Sequence, residues 1–330
     1  MRASNSRILK QNLARTDLKP LVSVGMPVYN GEKYIRRALN SLLAQDYEKF
    51  ELIISDNAST DDSWKICREY AAKDSRIKLQ AQHQNQGVVA NFGAVLASAL
   101  GPYFMWAAVD DRWMPGFVTA LVKKLNEDPN AGVAMSAVER RYEDGGLKDV
   151  VRYTGGAEPS RMSNFRLAKA LTAGSMHHLY IYGLFRTDFL RRAFRDYPQV
   201  KGPDRLFMTQ IALATKFLYV DEILHVRQVS NAPLHVKFAD DQIGKAQLDI
   251  TAALKKVLTA GPYLLKSRVI PWHRKLWGPL TVVIGLVVKY KFSNFILSAA
   301  YVLSGRLLGP LSRKMVANHI RRLIKLHDLD

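Results

Sequence analysis

The chain has 330 residues, 48% of them hydrophobic and 23% charged, with one cysteine and a formal net charge of +19. That length accommodates one domain of ordinary size and an appendage. The single cysteine, Cys67, excludes a disulfide framework and a Cys-based zinc site, and its helical surroundings suggest a small buried residue. Residues 1–18 lack the apolar core and cleavage site of a secretory signal, so the expected setting is cytoplasmic.

Leu21 to Met26 reads as a buried strand, followed by the turn Pro27-Val28-Tyr29-Asn30-Gly31. Asn30 is placed to cap a helix whose Ile35, Leu39, Leu42 and Leu43 share one face. A second strand, Phe50 to Ser55, runs into Asp56-Asn57-Ala58-Ser59-Thr60-Asp61-Asp62. Ser59 and Asp62 have the spacing of a capping box opening a helix over 60–72. A strand over 77–81 and a helix over 87–100 follow. The apolar run Gly101 to Val109 is the fourth strand, and it ends in Asp110-Asp111. Adjacent carboxylates closing an apolar strand are costly unless something positive neutralises them. A hard divalent cation that also holds phosphate oxygens does this, and a solvated helix-capping turn is the competing reading. Strands alternating with helices imply a mostly parallel sheet covered on both faces, with ligands beyond the carboxyl ends of its strands.

In the second half, polar, Gly-containing residues 139–165 read as loop or edge hairpin, Leu179 to Phe185 as a strand, and Arg186 to Arg195 as a helix. Gly202-Pro203 opens another helix, with Asp204 in its first turn and Phe207, Ile211 and Ala214 facing the core. A strand over 217–224 leads into His225-Val226-Arg227. His177-His178 precede the apolar run, and as strand neighbours they would face opposite ways and not share a metal. They are read as acceptor-side residues.

The last quarter concentrates the charge, with fourteen Lys and Arg against Asp328 and Asp330 over residues 251–330. Apolar runs over 276–288 and 292–303 are shorter than the roughly 20 residues that cross a bilayer. With Trp272, Trp277 and the flanking cations they read as interfacial helices, and 320–326 as a basic amphipathic segment. A helical subdomain packed on the catalytic domain is the alternative. The expected division is a tail (1–20), a catalytic domain (21–236, halves 21–127 and 128–236) and a basic helical region (237–330). These cations lie in an apolar tail without an RNA-reading motif or zinc-finger spacing, so nucleic acid is not an expected partner.

Pro27-Val28-Tyr29-Asn30, Asp56 to Asp61, and Asp110-Asp111 with Pro115, in this order and at strand ends, resemble the motifs of family 2 glycosyltransferases over about Leu21 to Val226. The resemblance implies a GT-A fold and a nucleotide-diphosphate sugar donor, UDP-linked as first reading. Pro27, Tyr29 and Asn30 would line the nucleotide pocket and Asp56 would accept from a base N–H. Asp110 would contact the ribose or lie near the metal, Asp111 would ligate Mn²⁺ or Mg²⁺, and Arg227 would grip the diphosphate. Asp204, opening its helix, would be the general base of an inverting transfer. A lipid-linked or glycan acceptor, in polysaccharide or glycolipid synthesis at the inner face of the cytoplasmic membrane, is implied together with the basic tail. Two departures stand out: Ala108 occupies a position where many members have Asp, and no basic residue lies near Asn91. A nucleotidyltransferase would need a Gly-rich basic loop after the first strand, which Met26 to Gly31 is not. An inactive scaffold is the other alternative, raised by Ala108.

Overall fold

The structure, a computed structural model, describes residues 22–174, 176–198, 203–229, 260–275 and 278–281. Strands β1 (Val22–Val28), β2 (Phe50–Asp56), β3 (Ile77–Ala81) and β4 (Tyr103–Trp106) lie parallel in the order β3-β2-β1-β4. Helices α1 (Glu32–Leu43), α2 (Ser63–Ala71) and α3 (Val88–Ala97) make the crossovers between them. Beyond β4 the sheet becomes mixed. The short β8 (Leu184–Arg186) is antiparallel to both β4 and β6 (Ala131–Tyr142). Next to β6, β9 (Lys216–Val229) runs parallel, and β5 (Arg112–Trp113) closes that edge antiparallel to β9. Strand β7 (Leu147–Val151) forms the expected hairpin with β6.

Side chains alternate between two cores, as a sheet covered on both faces requires. Leu52, Ile54, Tyr103, Met105 and Ala134 pack with α1, α2 and α4 (Phe117–Glu127). Ile53, Phe104, Trp106, Val133 and Met135 face the other layer: α3, α5 (Asn164–Ala173), α6 (Thr187–Phe194) and α7 (Pro203–Ala214). Cys67 is fully buried in the first core, where desolvation pushes its thiol up to about 12.

The structure corrects the reading of residues 179–185 as one strand. His178–Tyr182 is a 3-10 turn closed by the Gly183 N–H on the Tyr180 carbonyl at 3.0 Å, and only Leu184–Arg186 enters the sheet. Leu179, Tyr180 and Ile181 are apolar because they are buried among the helices of the second core. Strand β9 continues five residues past its expected end at 224, which carries His225 and Arg227 on the sheet.

Residues 260–281, as far as described, dock on α7. Gln210 Nε2 donates to Ser267 Oγ at 2.8 Å, Tyr263 Oη donates to Gln210 Oε1, and Arg274 Nη1 donates to the Leu213 carbonyl at 3.2 Å. Among the described residues no helix is long and apolar enough to cross a membrane. The apolar runs at 282–288 and 292–303, Trp277 and the amphipathic segment 320–326 lie outside the described residues.

Candidate active site

The carboxyl ends of β1 and β2 are stitched together by their loops. Asn30 adopts a positive φ of 50°. Its backbone N–H donates to Ser59 Oγ at 3.0 Å, and its Oδ1 accepts from the Thr60 N–H at 2.9 Å. Asn30 is therefore not the cap of α1. That helix starts after Gly31 without a side-chain cap. The capping box at Ser59 is absent as well, because Ser59 is engaged by Asn30 and α2 starts only at Ser63 rather than at the expected residue 60. Asp61 serves both helices instead, accepting from the Glu32 N–H and the Ser63 N–H at 3.0 Å each. Burial opposes its charge, but these hydrogen bonds outweigh it and hold the carboxyl below its usual range.

Asp56, at the end of β2, is 4% exposed. Its Oδ2 accepts from the Ser59 N–H at 3.1 Å, while Oδ1 is buried with no hydrogen-bond partner. A buried acceptor left unsatisfied costs about 1–3 kcal/mol, which a ligand N–H would relieve. Asn91 binds the same strand ends, its Nδ2 donating to the carbonyls of Val28 and Ser55 at 3.2 and 3.0 Å. Tyr29, just past β1, keeps half of its surface exposed.

The two adjacent aspartates part company. Asp111 is 1% exposed, with Oδ2 2.9 Å from His225 Nε2 and Oδ1 accepting the Gln228 N–H at 3.1 Å. His225 is itself stacked on Trp113, with ring centroids 5.5 Å apart and 5° between planes. Both Asp111 oxygens thus tie the β4 loop to β9. Asp110 instead lines a cavity of about 460 Å³ together with Pro27, Phe92, Tyr182, Tyr197 and Asp204. Arg37 holds this loop through its Nη2, which donates to the Asp110 carbonyl at 3.0 Å.

Across the cavity, Asp204 opens α7, and its Oδ1 accepts from the Tyr197 hydroxyl at 2.6 Å. Burial and the neighbouring carboxylate push the Tyr197 hydroxyl well above its usual range, so it remains the donor. Tyr182 is pushed up to about 12, first by burial, and the Arg227 guanidinium lies 5.0 Å over its ring. Arg227 Nη1 is buried without a hydrogen-bond partner.

The profile of glycosyl transferase family 2 matches residues 23–194, just over half of the chain. This chain belongs to that family. The glycosyltransferase is 35% identical to GlyA of Streptococcus pneumoniae over 106 residues, which are 32% of this chain and 15% of that one. It is 37% identical over 98 residues to the putative teichuronic acid biosynthesis glycosyltransferase TuaG of Bacillus subtilis, covering 30% of this chain and 39% of TuaG. The matches thus span well under half the length of these curated relatives. Among solved structures, S. aureus TarS 1–349 superposes with a TM-score of 0.56 at 18% identity, over 89% of this chain and 77% of that one. Mannosyltransferase PcManGT from Pyrobaculum calidifontis, solved with GDP-Man and Mn²⁺, gives 0.51 at 19% identity, over 94% and 88%. At these identities the likeness shows the fold, which is GT-A.

The fold of the glycosyltransferase brings Pro27, Asp110 and Asp204 to one cavity, with Arg227 stacked on its Tyr182 wall. His177 and His178 are not on a strand, since His177 caps and His178 opens the 3-10 turn, and their rings stack 5.1 Å apart at 26°. Among the described residues no three His, Cys, Asp or Glu side chains converge as a metal cage. Mg²⁺ and Mn²⁺ do not need one when a substrate diphosphate supplies ligands, since one or two carboxylates and water complete the shell. Asp110 fits that requirement. Tyr182 is hidden along the chain because an aromatic in an apolar run reads as core, and Tyr197 because it sits in a polar turn with no motif spacing to Asp204. The anchoring role of His225 was equally hidden, since only the pairing of β5 with β9 brings it to Asp111.

Proposed function

We propose that this glycosyltransferase moves a sugar from a nucleotide-diphosphate donor to an acceptor hydroxyl with inversion at the anomeric carbon. The observation that carries this reading is that Asp110 and Asp204, from opposite halves of the catalytic domain, line one cavity at the carboxyl ends of the parallel strands. In this mechanism Asp56 Oδ1 accepts a base N–H, and Pro27 and Tyr29 pack on the base with Asn30 holding their loop. Arg227 directs its unpartnered Nη1 to a diphosphate oxygen, a charge-assisted contact suited to guanidinium. Asp110 would hold a bound Mg²⁺ or Mn²⁺, which would supply charge neutralisation for the leaving diphosphate. Asp204 removes the acceptor proton as the acceptor oxygen bonds to the anomeric carbon and the bond to the diphosphate breaks on the opposite face. Tyr197 fixes the Asp204 carboxylate through its 2.6 Å hydrogen bond.

A UDP-linked sugar is the first donor to try. A TarS structure in complex with UDP-GlcNAc shares the fold at a TM-score of 0.55, while PcManGT makes GDP-mannose the next. The acceptor is read as a glycan or lipid-linked saccharide presented at the inner face of the membrane. Trp272, 79% exposed among Lys266, Arg268, Arg274 and Lys275, supports that reading.

The test is nucleoside-diphosphate release from UDP-, GDP- and dTDP-sugars with Mn²⁺ or Mg²⁺. Release from one donor is expected, falling at least about 100-fold in Asp110→Ala. Asp204→Asn should keep donor binding while transfer drops about 10²–10⁴-fold. Folded protein that neither releases nor binds nucleotide with metal would overturn the reading, and normal turnover in Asp204→Asn would remove Asp204 as base.

A further inference from the structure

We propose that Arg205, His177 and His178 form a subsite for an anionic group, phosphate or carboxylate, carried by the acceptor. The proposal rests on Asp204 marking the acceptor side of the cavity.

Arg205 follows Asp204 on α7 and is partly buried. Its Nη1 donates to the Leu171 carbonyl at 2.8 Å, and it lies against Gly174, where a Cβ would sit 2.9 Å from Nη1. Among the described residues no carboxylate forms an ion pair with it; burial lowers its pKa with no acid to offset that. The turn that Arg205 touches leads directly into His177 and His178. Arg140 Nη1 lies 3.0 Å from His177 Nε2. Guanidinium can only donate, so His177 Nε2 is the acceptor and the ring proton is on Nδ1. That Nδ1 is buried without a partner, as is His178 Nδ1 in the stacked ring beside it. An unsatisfied N–H next to a cation without a counter-ion is the complement of an anion, and neutral hydroxyls would leave the charge of Arg205 uncompensated.

The surrounding charges favour the same ligand. Arg140, Arg205 and Arg227 all act on both histidines, and Asp204 acts on His178. Asp149 neutralises Arg140, and Tyr197 engages Asp204, so Arg205 is left to an incoming anion. Asp204 and Arg205 both act on His178, which places the anion within reach of the proposed base. Such a subsite would select charged acceptors over neutral ones by binding them more tightly.

The experiment follows the ring resonances of His177 and His178 in the full chain during titration with glycerol 3-phosphate, with glucuronate, and with glucose as the neutral control. Saturable shifts with one or both anions and none with glucose are expected, and the stronger anion identifies phosphate or carboxylate as the class. Arg205→Gln should weaken that binding at least about tenfold and leave nucleoside-diphosphate binding unchanged. Arg205→Lys should restore part of it. Because Arg205 also holds Leu171, His178→Gln serves as a second variant and should weaken the anion without affecting the fold. With an anionic acceptor analogue, Arg205→Gln should raise KM and leave kcat within about twofold. No saturable shift with either anion, or equal binding in wild type and both variants, overturns the subsite. Intact anion binding in a protein that fails to bind nucleotide would overturn the donor-site reading and leave this one standing.

Discussion

Asp110 and Asp111 are neighbours with opposite surroundings, and substitution should separate them. Asp111→Asn breaks a buried arrangement with His225 and the Gln228 N–H, so unfolding free energy should fall by about 2–4 kcal/mol in urea titrations. Asp110→Ala, on the cavity wall, should abolish metal-dependent release. A stable Asp111→Asn that has lost metal dependence would return the metal to Asp111. His177 offers a test in pH. Burial, then His178 and Arg140, lower its pKa from 6.5 to about 4. The unfolded chain therefore takes up a proton that the folded chain refuses between those values. Stability contributed by neutral His177 is present above about 6.5 and is lost as pH falls toward 4. His177→Gln should flatten the acid-side slope of stability by up to about one proton, measured by urea denaturation at pH 7 and 4.5. An unchanged slope would mean that His177 titrates as it does in the unfolded chain.

At the scale of elements, β1 carries Pro27 to the cavity wall by passing very close to its neighbours. A Cβ on Gly25 would lie 2.6 Å from Phe104 Cζ and 2.8 Å from Val95 Cγ2. Gly25→Ala should therefore push β1 away from β4 and α3, at a cost of about 1–3 kcal/mol by chemical denaturation, and weaken nucleotide binding at Pro27 in parallel. Stability within error of wild type would show that Phe104 has room to rotate. The strands themselves were legible because Leu52, Ile53 and Ile54 form a continuous apolar run between turn signals, which is what a strand covered on both faces needs. The 3-10 turn at His178–Tyr182 was not. Its apolar residues are buried by helices from elsewhere in the chain, and burial looks the same from either conformation.

For the molecule as a whole, the described residues of 260–281 dock on the helix that carries Asp204, through Gln210, Ser267 and Arg274. Trp272, Leu265 and Leu280 remain exposed there, and the sequence from 251 to 327 contains no acidic residue. The glycosyltransferase should therefore cosediment with phosphatidylglycerol vesicles and not with phosphatidylcholine vesicles, and added salt should weaken it. Trp272→Ala with Lys266→Glu should reduce bound protein severalfold while donor hydrolysis is retained. Equal sedimentation with both lipids, or no effect of the double substitution, would leave the cations as a solvated face.

The alternating parallel half, the carboxylates at its strand ends and Asp204 in the first turn of a helix could all be read along the chain. Each depends on local spacing: apolar runs, turn residues and a Gly-Pro helix start. Which of Asp110 and Asp111 faces the cavity depended on β5 pairing with β9, which delivers His225 and Gln228 from more than a hundred residues away. The same holds for Tyr197 on Asp204 and for the Arg205 guanidinium, which holds the Leu171 carbonyl and has no carboxylate partner among the described residues. Hydrogen-bond partners and desolvation are properties of packed neighbours, and linear spacing does not encode them.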